Sequence, residues 1–299
     1  MIKVYIDGQA GTTGLALEAR LLELAKTTAI QWLTISDALR KDVTARKKLM
    51  NQADVVFLCL PDEAAKEAVA LIDNPEVVII DASTAHRTNA AWVYGFPELS
   101  ADQHAKLTVA NKIAVPGCHA TGFIALVYPL IQKGLIQKSD MLYCHSLTGY
   151  SGGGKQMIAD YEADQRHPSA AWMYALDLKH KHLPEMKQMT GLETTPLFVP
   201  VVVPVNKGMI VSLPLKGRPH QLHAELTAYY AHSSTVKVMD LGVQTSLHIE
   251  NELAPDALEI YVFGQGEQAV IAARLDNLGK GSSGAAVQCM KVRFGLWNG

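Results

Sequence analysis

The feature that most constrains the fold is a glycine-rich turn between a strand and a helix at the start of the chain. Residues 1–7 (MIKVYID) are typical of a short β-branched strand, and residues 15–26 are rich in strong helix formers. Gly8, Gly11 and Gly14 lie between them. This order is that of a dinucleotide-binding corner, because glycines allow close backbone approach and a helix N-terminus presents free N–H groups to phosphate. The spacing is GxxGxxG rather than GxGxxG, so an ordinary strand-to-helix turn is the alternative.

Alternating strands and helices continue through roughly the first 115 residues. We predict strands at residues 30–35, 55–60 and 77–80. A helix is predicted at residues 63–72. The all-apolar segment 55–60 is typical of a strand that is buried on both faces of a parallel sheet. The pattern therefore predicts an α/β fold with a doubly wound sheet, whose ligands bind at the carboxyl ends of the strands.

Length and composition exclude several classes of protein. The chain has 299 residues, enough for about two domains of about 150 residues each. Its 48% hydrophobic and 19% charged residues exclude disorder, and the net charge of −2 provides no basic surface for nucleic acid. No apolar run approaches the ~20 residues of a membrane span, and the chain enters a strand without a signal peptide. We therefore expect a cytoplasmic protein with no nucleic-acid or membrane partner.

The segment after the second predicted strand bears on the choice of dinucleotide. Residues 36–41 read SDALRK. Asp37 favours NAD, because an acidic side chain can bind the ribose 2′-hydroxyl. Ser36, Arg40 and Lys41 favour the 2′-phosphate of NADP, and the basic pair leads us to expect NADP(H). A solvated surface is the other explanation for the two basic residues.

One cysteine has the setting of a nucleophile. The thiols are Cys59, Cys118, Cys144 and Cys289, too few and too scattered for a disulfide framework or a CxxC metal site. Cys118 follows a Pro-Gly turn and precedes the helical residues 123–131. The positive end of a helix dipole would stabilise a thiolate there, whereas an inert turn residue is the alternative. We expect the other three thiols to be buried in the core.

Two segments of the second half carry further candidate residues. Residues 147–155 read LTGYSGGGK, and the backbone of such a glycine-rich loop can cradle a phosphate, although GxxxxGK[ST] is not met and a flexible loop is the alternative. Residues 179–186 contain His180 and His182. Their spacing suits a zinc site poorly, so we predict no metal. We expect one of them to be a general acid–base, because a hydride-transfer enzyme must also move a proton.

The remaining pattern indicates a second domain of α+β type. Strands are predicted at residues 198–203, 209–215 and 257–263, and a helix at residues 222–232. Pro and Gly interrupt these strands, which indicates a partly antiparallel sheet. Residues 275–284 form a second Gly/Ser-rich turn before a C-terminal helix, and this turn is a further candidate for the nucleotide site.

These segments together resemble the shorter class of N-acetyl-γ-glutamyl-phosphate reductases over essentially the whole chain. The most specific match is residues 113–122 (IAVPGCHATG) with Pro129, which resembles the family's signature around its nucleophilic cysteine. His119 departs from it where Phe or Tyr is usual, and Leu126 where a small residue is usual, but neither change removes a reacting group. The other matching stretches, in the family's order, are residues 8–14, 81–83 with Arg87, 149–155, 180–185 and 276–286.

The resemblance implies a two-domain oxidoreductase. Residues 1–115 would form an NADP-binding Rossmann domain, completed by a C-terminal helix within residues 276–299. Residues 116–275 would form an α+β catalytic and oligomerisation domain of the semialdehyde dehydrogenase type. The implied reaction is NADPH-dependent reduction of an acyl phosphate, N-acetyl-L-glutamyl 5-phosphate, to the 5-semialdehyde and phosphate in arginine biosynthesis. The family also implies a homo-oligomer, dimer or tetramer.

The resemblance further assigns roles to residues. Cys118 would form a thioester, and His180 would be the acid–base, with His182 as the alternative. Arg87 is a candidate anion clamp, with a surface arginine as the alternative. The expected cofactor-binding residues are Gly8, Gly11, Thr12, Thr13, Gly14, Ser36, Arg40, Lys41, Ser83, Gly152, Gly153, Asn277 and Gly281. The expected substrate-binding residues are Arg87, His119, Ser151, Lys155 and Glu185.

Two alternative functions stay open at this level. A related semialdehyde dehydrogenase, acting on an aspartate or a carrier-bound lysine-pathway substrate, would use the same fold and thiol chemistry. The aspartate enzymes usually have Asn before the cysteine, where this chain has Gly117. A non-catalytic NADP sensor would keep the nucleotide site without turnover.

Overall fold

A computed structural model describes residues 1–163, 170–249, 254 and 256–297. The chain divides into two compact units. The first unit comprises Met1–Pro116 and the described residues from Ser282 onward, and the second unit comprises the described residues of Gly117–Gly281. The chain re-enters the first unit at Ser282 rather than at the predicted residue 276, because the intervening turn is closed within the second unit by a hydrogen bond from Gly281 N–H to the Asp276 carbonyl (3.0 Å).

The first unit is built on a six-stranded sheet with the order β2-β1-β3-β4-β6-β5. All of its strand pairs are parallel, which confirms the predicted doubly wound sheet. Its elements are β1 (Ile2–Asp7), α1 (Thr12–Leu24), β2 (Ile30–Trp32), α2 (Val43–Gln52), β3 (Val55–Leu58), α3 (Asp62–Ala70), β4 (Val78–Asp81), β5 (Val93–Tyr94), a 3₁₀ turn (Pro97–Leu99), α4 (Ala101–Val109), β6 (Lys112–Ala114) and the C-terminal α9 (Gly284–Arg293).

Both faces of this sheet are packed, as the apolar strands predict. Alternate residues of a strand point to opposite faces, so Val55 and Phe57 pack on one side with Leu17 of α1. Val56 and Leu58 belong to the cluster on the other side. Each side chain of this kind contributes about 1.5–3 kcal/mol when it is fully buried.

The C-terminal helix α9 belongs to the first unit. Its Ala285, Cys289 and Met290 are buried in the same cluster as the strands. Arg293 Nε donates to the Ala110 carbonyl at 2.9 Å, just before β6 begins. The last two residues of the predicted C-terminal segment, 298 and 299, lie outside the described residues.

The second unit is built on a seven-stranded mixed sheet with the order β11-β12-β13-β10-β7-β9-β8. The pairs β7–β9 and β11–β12 are parallel and the others antiparallel, which confirms a partly antiparallel sheet. Its elements are α5 (Cys118–Gln132), β7 (Tyr143–Gly149), a 3₁₀ turn (Tyr150–Gly153), α6 (Gly154–Glu162), β8 (Trp172–Met173), α7 (Leu183–Thr190), β9 (Leu197–Val203), β10 (Met209–Lys216), α8 (Pro219–Tyr230), β11 (Val236–Val238), β12 (Leu258–Gln265), β13 (Gln268–Leu275) and a π-helical turn (Gly279–Ser283) whose last two residues belong to the first unit. None of the described helices is long and apolar enough to cross a membrane.

Helix α5 is the centre of the second unit. Nearly every residue from His119 to Ile131 is buried, and the helix packs on β10, β13, α7 and α8. Gly122 allows the close approach to β10, because a Cβ there would lie 2.6 Å from Val211 Cγ2. This packing fixes the N-terminus of α5, where Cys118 lies.

Three of the differences between the structure and the predicted elements have a clear physical reason. Helix α1 begins at Thr12 rather than residue 15, because Gly11 takes the N-cap position and Gly14 lies within the first turn. Helix α2 was missed because it lacks an apolar stripe and buries only Met50. Strand β13 was missed because it is rich in alanine, a weak strand former.

Candidate active site

The glycine turn of the first unit is closely packed. Gly8 has φ +85°, and a Cβ there would lie 2.3 Å from the Cys59 carbonyl oxygen. A Cβ on Gly14 would lie 2.5 Å from the Gly8 carbonyl oxygen. Gly11 caps α1 with its backbone alone, so the first N–H groups of the helix donate no hydrogen bond to a capping side chain within the described residues. The turn therefore offers uncovered N–H groups at a helix N-terminus, as a bound phosphate requires.

A cavity of about 750 Å³ opens beside this turn. Two buried polar atoms near it have no hydrogen-bond partner within the described residues, the Oγ1 atom of Thr12 and the Nε atom of Arg46. Buried donors without a protein partner are suited to bind a ligand. The residues thus fit a dinucleotide, with Thr12 and Arg46 as donors. The lining comprises Tyr5, Ile6, Asp7, Gly8, Gln9, Ala10, Gly11, Leu15, Glu18, Ile35, Asp37, Arg40, Lys41, Arg46, Cys59, Leu60, Pro61 and Ala64.

Arg46 is a candidate residue that the sequence reasoning missed. Its Nη2 atom pairs with Asp7 Oδ2 at 2.6 Å, and both side chains are largely buried. The hydrogen bond to Asp7 raises the pKa of Arg46 and keeps it charged. The acidic Asp7 at the end of β1 could have indicated a basic partner in the sequence. That partner lies 39 residues further on, in a helix that the sequence analysis did not predict.

The predicted NADP-selecting segment lies in the turn between β2 and α2. Arg40, Lys41 and the opposing Asp37 line the cavity, and all three side chains are exposed. Ser36 precedes them, and its carbonyl accepts a hydrogen bond from Leu39 N–H at 2.9 Å. The cavity rim thus carries both the residue that favours NAD and those that favour NADP.

Asp81, at the carboxyl end of β4, organises the loop that follows. Its fully buried carboxylate accepts from Ser83 N–H (2.9 Å) and Ser83 Oγ (2.7 Å), and pairs with His86 Nδ1 (2.7 Å). Arg87 is buried, and its guanidinium donates to the Val115 and Ala82 carbonyls at 2.9 and 3.1 Å. These contacts favour positioning roles for Ser83 and Arg87 within the first unit, and their direct ligand contacts stay a prediction.

Cys118 is the first residue of α5 in the second unit. Gly117 caps the helix without a side chain, and its N–H donates to Glu185 Oε2 at 3.1 Å. Gly281 lies against the cysteine, because a Cβ there would come within 2.7 Å of Cys118 Cβ. The predicted position at a helix N-terminus is therefore present. Glu185, expected to touch substrate, holds the turn that presents the thiol, and its substrate contact stays a prediction.

The two candidate histidines differ in exposure. His180 is partly exposed, whereas His182 is buried with 4% of its surface accessible. The His182 N–H donates to His180 Nδ1 at 3.1 Å, and the two rings lie 4.7 Å apart. This contact orients the His180 ring, so that Nε2 is the ring atom turned away from the backbone.

His119 lies fully inside the second unit. Its Nδ1 is 2.8 Å from Ser146 Oγ and its Nε2 is 2.9 Å from the Tyr174 hydroxyl. Burial, with the nearby His180 and Lys181, lowers the pKa of His119 to about 3. Both ring nitrogens are thus engaged inside the protein, and the substrate contact of His119 stays a prediction. The sequence reasoning missed Tyr174 and Ser146, which no motif marks.

The other predicted site residues of the second unit lie in or around the glycine-rich segment at residues 149–155. Asn277 is buried, donates to Ser151 Oγ at 2.9 Å and accepts from Gly208 N–H at 2.8 Å. Gly152 is exposed next to Asn277, and Gly153 continues the 3₁₀ turn. Lys155 is exposed in the first turn of α6. The glycine-rich segment is therefore an ordered turn held by Asn277.

The remaining thiols are unsuited to nucleophilic attack. Cys144 and Cys289 are buried, as predicted, and burial raises the pKa of Cys144. Cys59 packs against the core of the first unit, as predicted, and also lines the cavity beside the glycine turn, because β3 ends at Leu58. Burial and the carboxylates of Asp81 and Asp7 raise its pKa to about 12. Within the described residues, no group of three or more His, Cys, Asp or Glu side chains could hold a metal ion.

Known families match both parts of the chain in order. Residues 3–107 match the family described as semialdehyde dehydrogenase, NAD binding domain. Residues 118–277 match the family described as semialdehyde dehydrogenase, dimerisation domain. The fold and the thiol site thus define a semialdehyde dehydrogenase-type protein.

Relatives at higher identity narrow this class. The chain is 44% identical to N-acetyl-gamma-glutamyl-phosphate reductase of Rhizobium meliloti, covering 97% of this chain and 98% of the relative. It is 40% identical to N-acetyl-gamma-glutamyl-phosphate reductase 2 of Nostoc sp., covering 98% and 97%. The chain belongs to the N-acetyl-γ-glutamyl-phosphate reductase family.

Solved structures share the fold at much lower identity. Aspartate semialdehyde dehydrogenase II of Vibrio cholerae, complexed with ASA, has a TM-score of 0.74 at 15% identity and covers 100% of this chain and 99% of that chain. Aspartate semialdehyde dehydrogenase of Candida albicans with NADP has a TM-score of 0.69 at 14% identity and covers 98% of each chain. These likenesses concern the fold and not the substrate.

Proposed function

We propose that this chain catalyses NADPH-dependent reduction of N-acetyl-L-glutamyl 5-phosphate to N-acetyl-L-glutamate 5-semialdehyde and phosphate, a step of arginine biosynthesis. The observation that carries the proposal is Cys118 at the first residue of α5, next to His119, whose ring lies 5.3 Å from that of His180. Full-length relatives at 40–44% identity that bear the name of this reductase support the substrate.

Cys118 supplies the nucleophile. A thiolate at a helix N-terminus is stabilised by the dipole and by the uncovered N–H groups of the first turn. Its sulfur attacks the carbonyl carbon of the acyl phosphate, the bond from that carbon to the phosphate oxygen breaks, and a thioester remains on Cys118. The N–H groups at the start of α5 are also suited to stabilise the oxyanion that develops on the substrate.

His180 supplies the proton. NADPH, held at the glycine turn of the first unit, would supply the hydride that reduces the thioester, and the oxygen of that group would then need a proton. We assign the proton donor to His180 because it is the more exposed of the pair and its Nε2 is turned away from the contact with His182. His182 supports the ring of His180 from the buried side.

The first unit supplies the cofactor site. We assign residues 1–115 with the C-terminal helix to NADP binding, and residues 116–275 to catalysis and assembly. The preference for NADP(H) rests on Arg40 and Lys41, which line the cavity and can pair with a 2′-phosphate.

The cofactor preference is measured as the ratio of kcat/KM for NADPH and NADH. An Arg40→Ser/Lys41→Ser double variant should lower this ratio by about 10- to 100-fold, since hydrogen bonds to charged groups are lost. Lys48→Ser removes an exposed lysine of α2 outside the cavity lining and should leave the ratio unchanged. An unchanged ratio in the double variant would mean that residues other than Arg40 and Lys41 set the preference for NADPH.

The reaction is tested in the oxidative direction. We expect phosphate-dependent oxidation of N-acetylglutamate semialdehyde to proceed with a higher kcat/KM than that of aspartate semialdehyde. Cys118→Ser should lower the rate by at least about 10³-fold while NADPH still binds, because only the nucleophile is lost. Cys289→Ser keeps the contact with the Gly95 carbonyl and is the matched control. Preference for aspartate semialdehyde would favour the alternative of a related semialdehyde dehydrogenase. No turnover of either substrate would favour the non-catalytic NADP sensor.

The second unit supports a homo-oligomer. It exposes large apolar side chains: Tyr143 of β7 and Met141 just before it, each 53% exposed, with Leu197 and Val270 at 38%. Exposed apolar clusters of this kind mark interaction surfaces. We propose a dimer or tetramer of this cytoplasmic enzyme, and sedimentation equilibrium will give its mass.

A further inference from the structure

The segment that carries His180 has no regular secondary structure of its own. It runs from the end of β8 to the start of α7. Residues 176–179 are exposed, and Ala175 and Leu178 have φ of 49° and 58°. Such conformations are strained for these residues and persist where the surrounding structure holds the segment in place. The position of His180 therefore depends on the contacts at the two ends of the segment.

The end next to α7 is held by hydrogen bonds between close neighbours in the chain. The His180 carbonyl accepts from Leu183 N–H at 3.0 Å. The Nδ1 atom of His180 accepts from His182 N–H at 3.1 Å. These bonds join His180 to the start of α7 alone, so the other end of the segment needs an anchor of its own.

The end next to β8 is anchored by Tyr174. Its N–H donates to the Pro200 carbonyl of β9 at 3.2 Å. Its hydroxyl lies 2.9 Å from Nε2 of His119 on α5, and Nδ1 of His119 lies 2.8 Å from Ser146 Oγ on β7. His119 and Ser146 are buried, where an unmade hydrogen bond is costly. Tyr174, His119 and Ser146 together form the Tyr174 anchor, which joins the segment to three separate elements of the second unit.

The anchor also contacts the His180 ring directly. The ring centroids of Tyr174 and His119 lie 5.6 and 5.3 Å from that of His180. Phe198 and His182 complete the surroundings of this ring at 5.1 and 4.7 Å. All four pairs meet edge to face, which is a favoured arrangement of aromatic rings. Burial lowers the pKa of His119 to about 3, so His119 presents a neutral ring to His180 at neutral pH.

We propose that the Tyr174 anchor positions His180 for proton transfer. Tyr174 fixes the start of the segment and packs its ring against His180, so that the loop presents this ring in one orientation. The inference rests on the proposed function, because it takes His180 as the proton donor. The three side chains of the anchor act through His180 and are positioning residues.

The test is a double-mutant cycle between Tyr174 and His180, measured by steady-state oxidation of N-acetylglutamate semialdehyde. Tyr174→Phe keeps the ring and removes the hydroxyl. It should lower kcat about tenfold and change KM less than about twofold, because a misplaced acid–base slows the reaction without removing a substrate contact. In the His180→Gln background, Tyr174→Phe should lower kcat no further, because the anchor acts through His180.

His119→Phe breaks the anchor at a second point. It keeps an aromatic ring beside His180 and removes the hydrogen bonds to both Tyr174 and Ser146. It should therefore lower kcat to about the same extent as Tyr174→Phe. The double variant should match either single variant, because both changes interrupt one path. Either single variant is sufficient for the cycle with His180→Gln.

Tyr230→Phe is the matched control. Tyr230 is a buried phenol whose hydroxyl donates to the Ala125 carbonyl of α5 at 2.8 Å. This variant also loses one hydrogen bond to α5, so its Tm should fall about as much as that of Tyr174→Phe. Its kcat should equal that of the wild type. The control thus separates a loss of stability from a displacement of His180.

The outcomes distinguish the two proposals. A lower Tm for Tyr174→Phe with unchanged kcat would overturn the inference and leave the proposed function intact, as would a further tenfold loss in the His180→Gln background. A loss of kcat that disappears in that background supports the inference. If His180→Gln by itself keeps full kcat, the assignment of His180 and the inference fail together. Retained turnover by Cys118→Ser would overturn the proposed function itself.

Discussion

The two candidate sites both begin at a helix that is capped by glycine alone, yet the two helix ends are built differently. At α1, Gly11 leaves the first turn uncovered, and the buried Oγ1 of Thr12 has no partner within the described residues. At α5, the Gly117 N–H already binds the carboxylate of Glu185, and the first helical residue is Cys118.

This difference shows how one local structure serves two tasks. An uncovered helix N-terminus with an unpartnered donor suits an anion that arrives from solution, such as a pyrophosphate. At α5 the carboxylate binds only the N–H of the capping Gly117, and the next residue, Cys118, presents a thiol to the first turn of the helix. The first site therefore depends mainly on backbone geometry, and the second mainly on the side chains around it.

The largest effect should come from the side chains of the thiol site. His180→Gln should lower kcat by about 10²- to 10⁴-fold, the usual contribution of a general acid–base, with little change in stability because the residue is partly exposed. His182→Gln should lower stability more and kcat less, because His182 is buried. Steady-state kinetics and urea unfolding of both variants measure this, and the reverse ranking would exchange the two roles.

The next effect tests the backbone of the nucleotide site. Gly8→Ala should lower the free energy of unfolding by about 2–4 kcal/mol and weaken NADPH binding, because its Cβ would lie 2.3 Å from the Cys59 carbonyl at φ +85°. Gly266→Ala is the matched control, with φ +61° and no atom within 4 Å of the added Cβ, and should cost about 1 kcal/mol. Equal costs at both positions would mean that the close approach at Gly8 is unimportant.

Acid should also destabilise the protein, through the buried His119. His119 has a folded pKa of about 3, below its unfolded value of 6.5, so the unfolded chain binds the proton first as the pH falls. The stabilisation is complete above pH 6.5 and is lost below it, by up to about 1.4 kcal/mol per pH unit. Urea unfolding of wild type and His119→Phe over this range checks it. An equal acid sensitivity of the variant would place the titrating group elsewhere.

The smallest effect should be at the open end of α1. Thr12→Val removes the hydroxyl that has no protein partner, so NADPH binding should weaken about fivefold with no loss of stability. Thr12→Ser keeps the hydroxyl and should bind like wild type. Isothermal titration of both variants decides this, and equal affinities would remove Thr12 from the cofactor site.

Sequence patterns were sufficient to predict features that depend on residues close together in the chain. The strand, turn and helix at the start of the chain and the position of Cys118 at a helix N-terminus were predicted, because each depends on residues that are neighbours in sequence. The parallel sheet was predicted from the alternation of strands and helices, although it pairs strands that are distant in sequence, such as Val4 with Val55. Helix α2 escaped prediction because it buries only Met50, and Arg46 escaped with it. Strand β13 escaped because its alanines carry little strand preference.

The sequence by itself determined the fold class, the family and the candidate nucleophile Cys118. Each of these depends on a continuous stretch of sequence, namely the glycine turn, the apolar strands and the motif around Cys118. The tertiary structure decided which side chains surround that thiol. Ser146, Tyr174, Glu185 and Gly281 come from separate strands, helices and turns, and only packing brings them to α5. It also showed that His119 and Glu185 are engaged inside the protein, because hydrogen-bond partners distant in sequence leave no periodic signal.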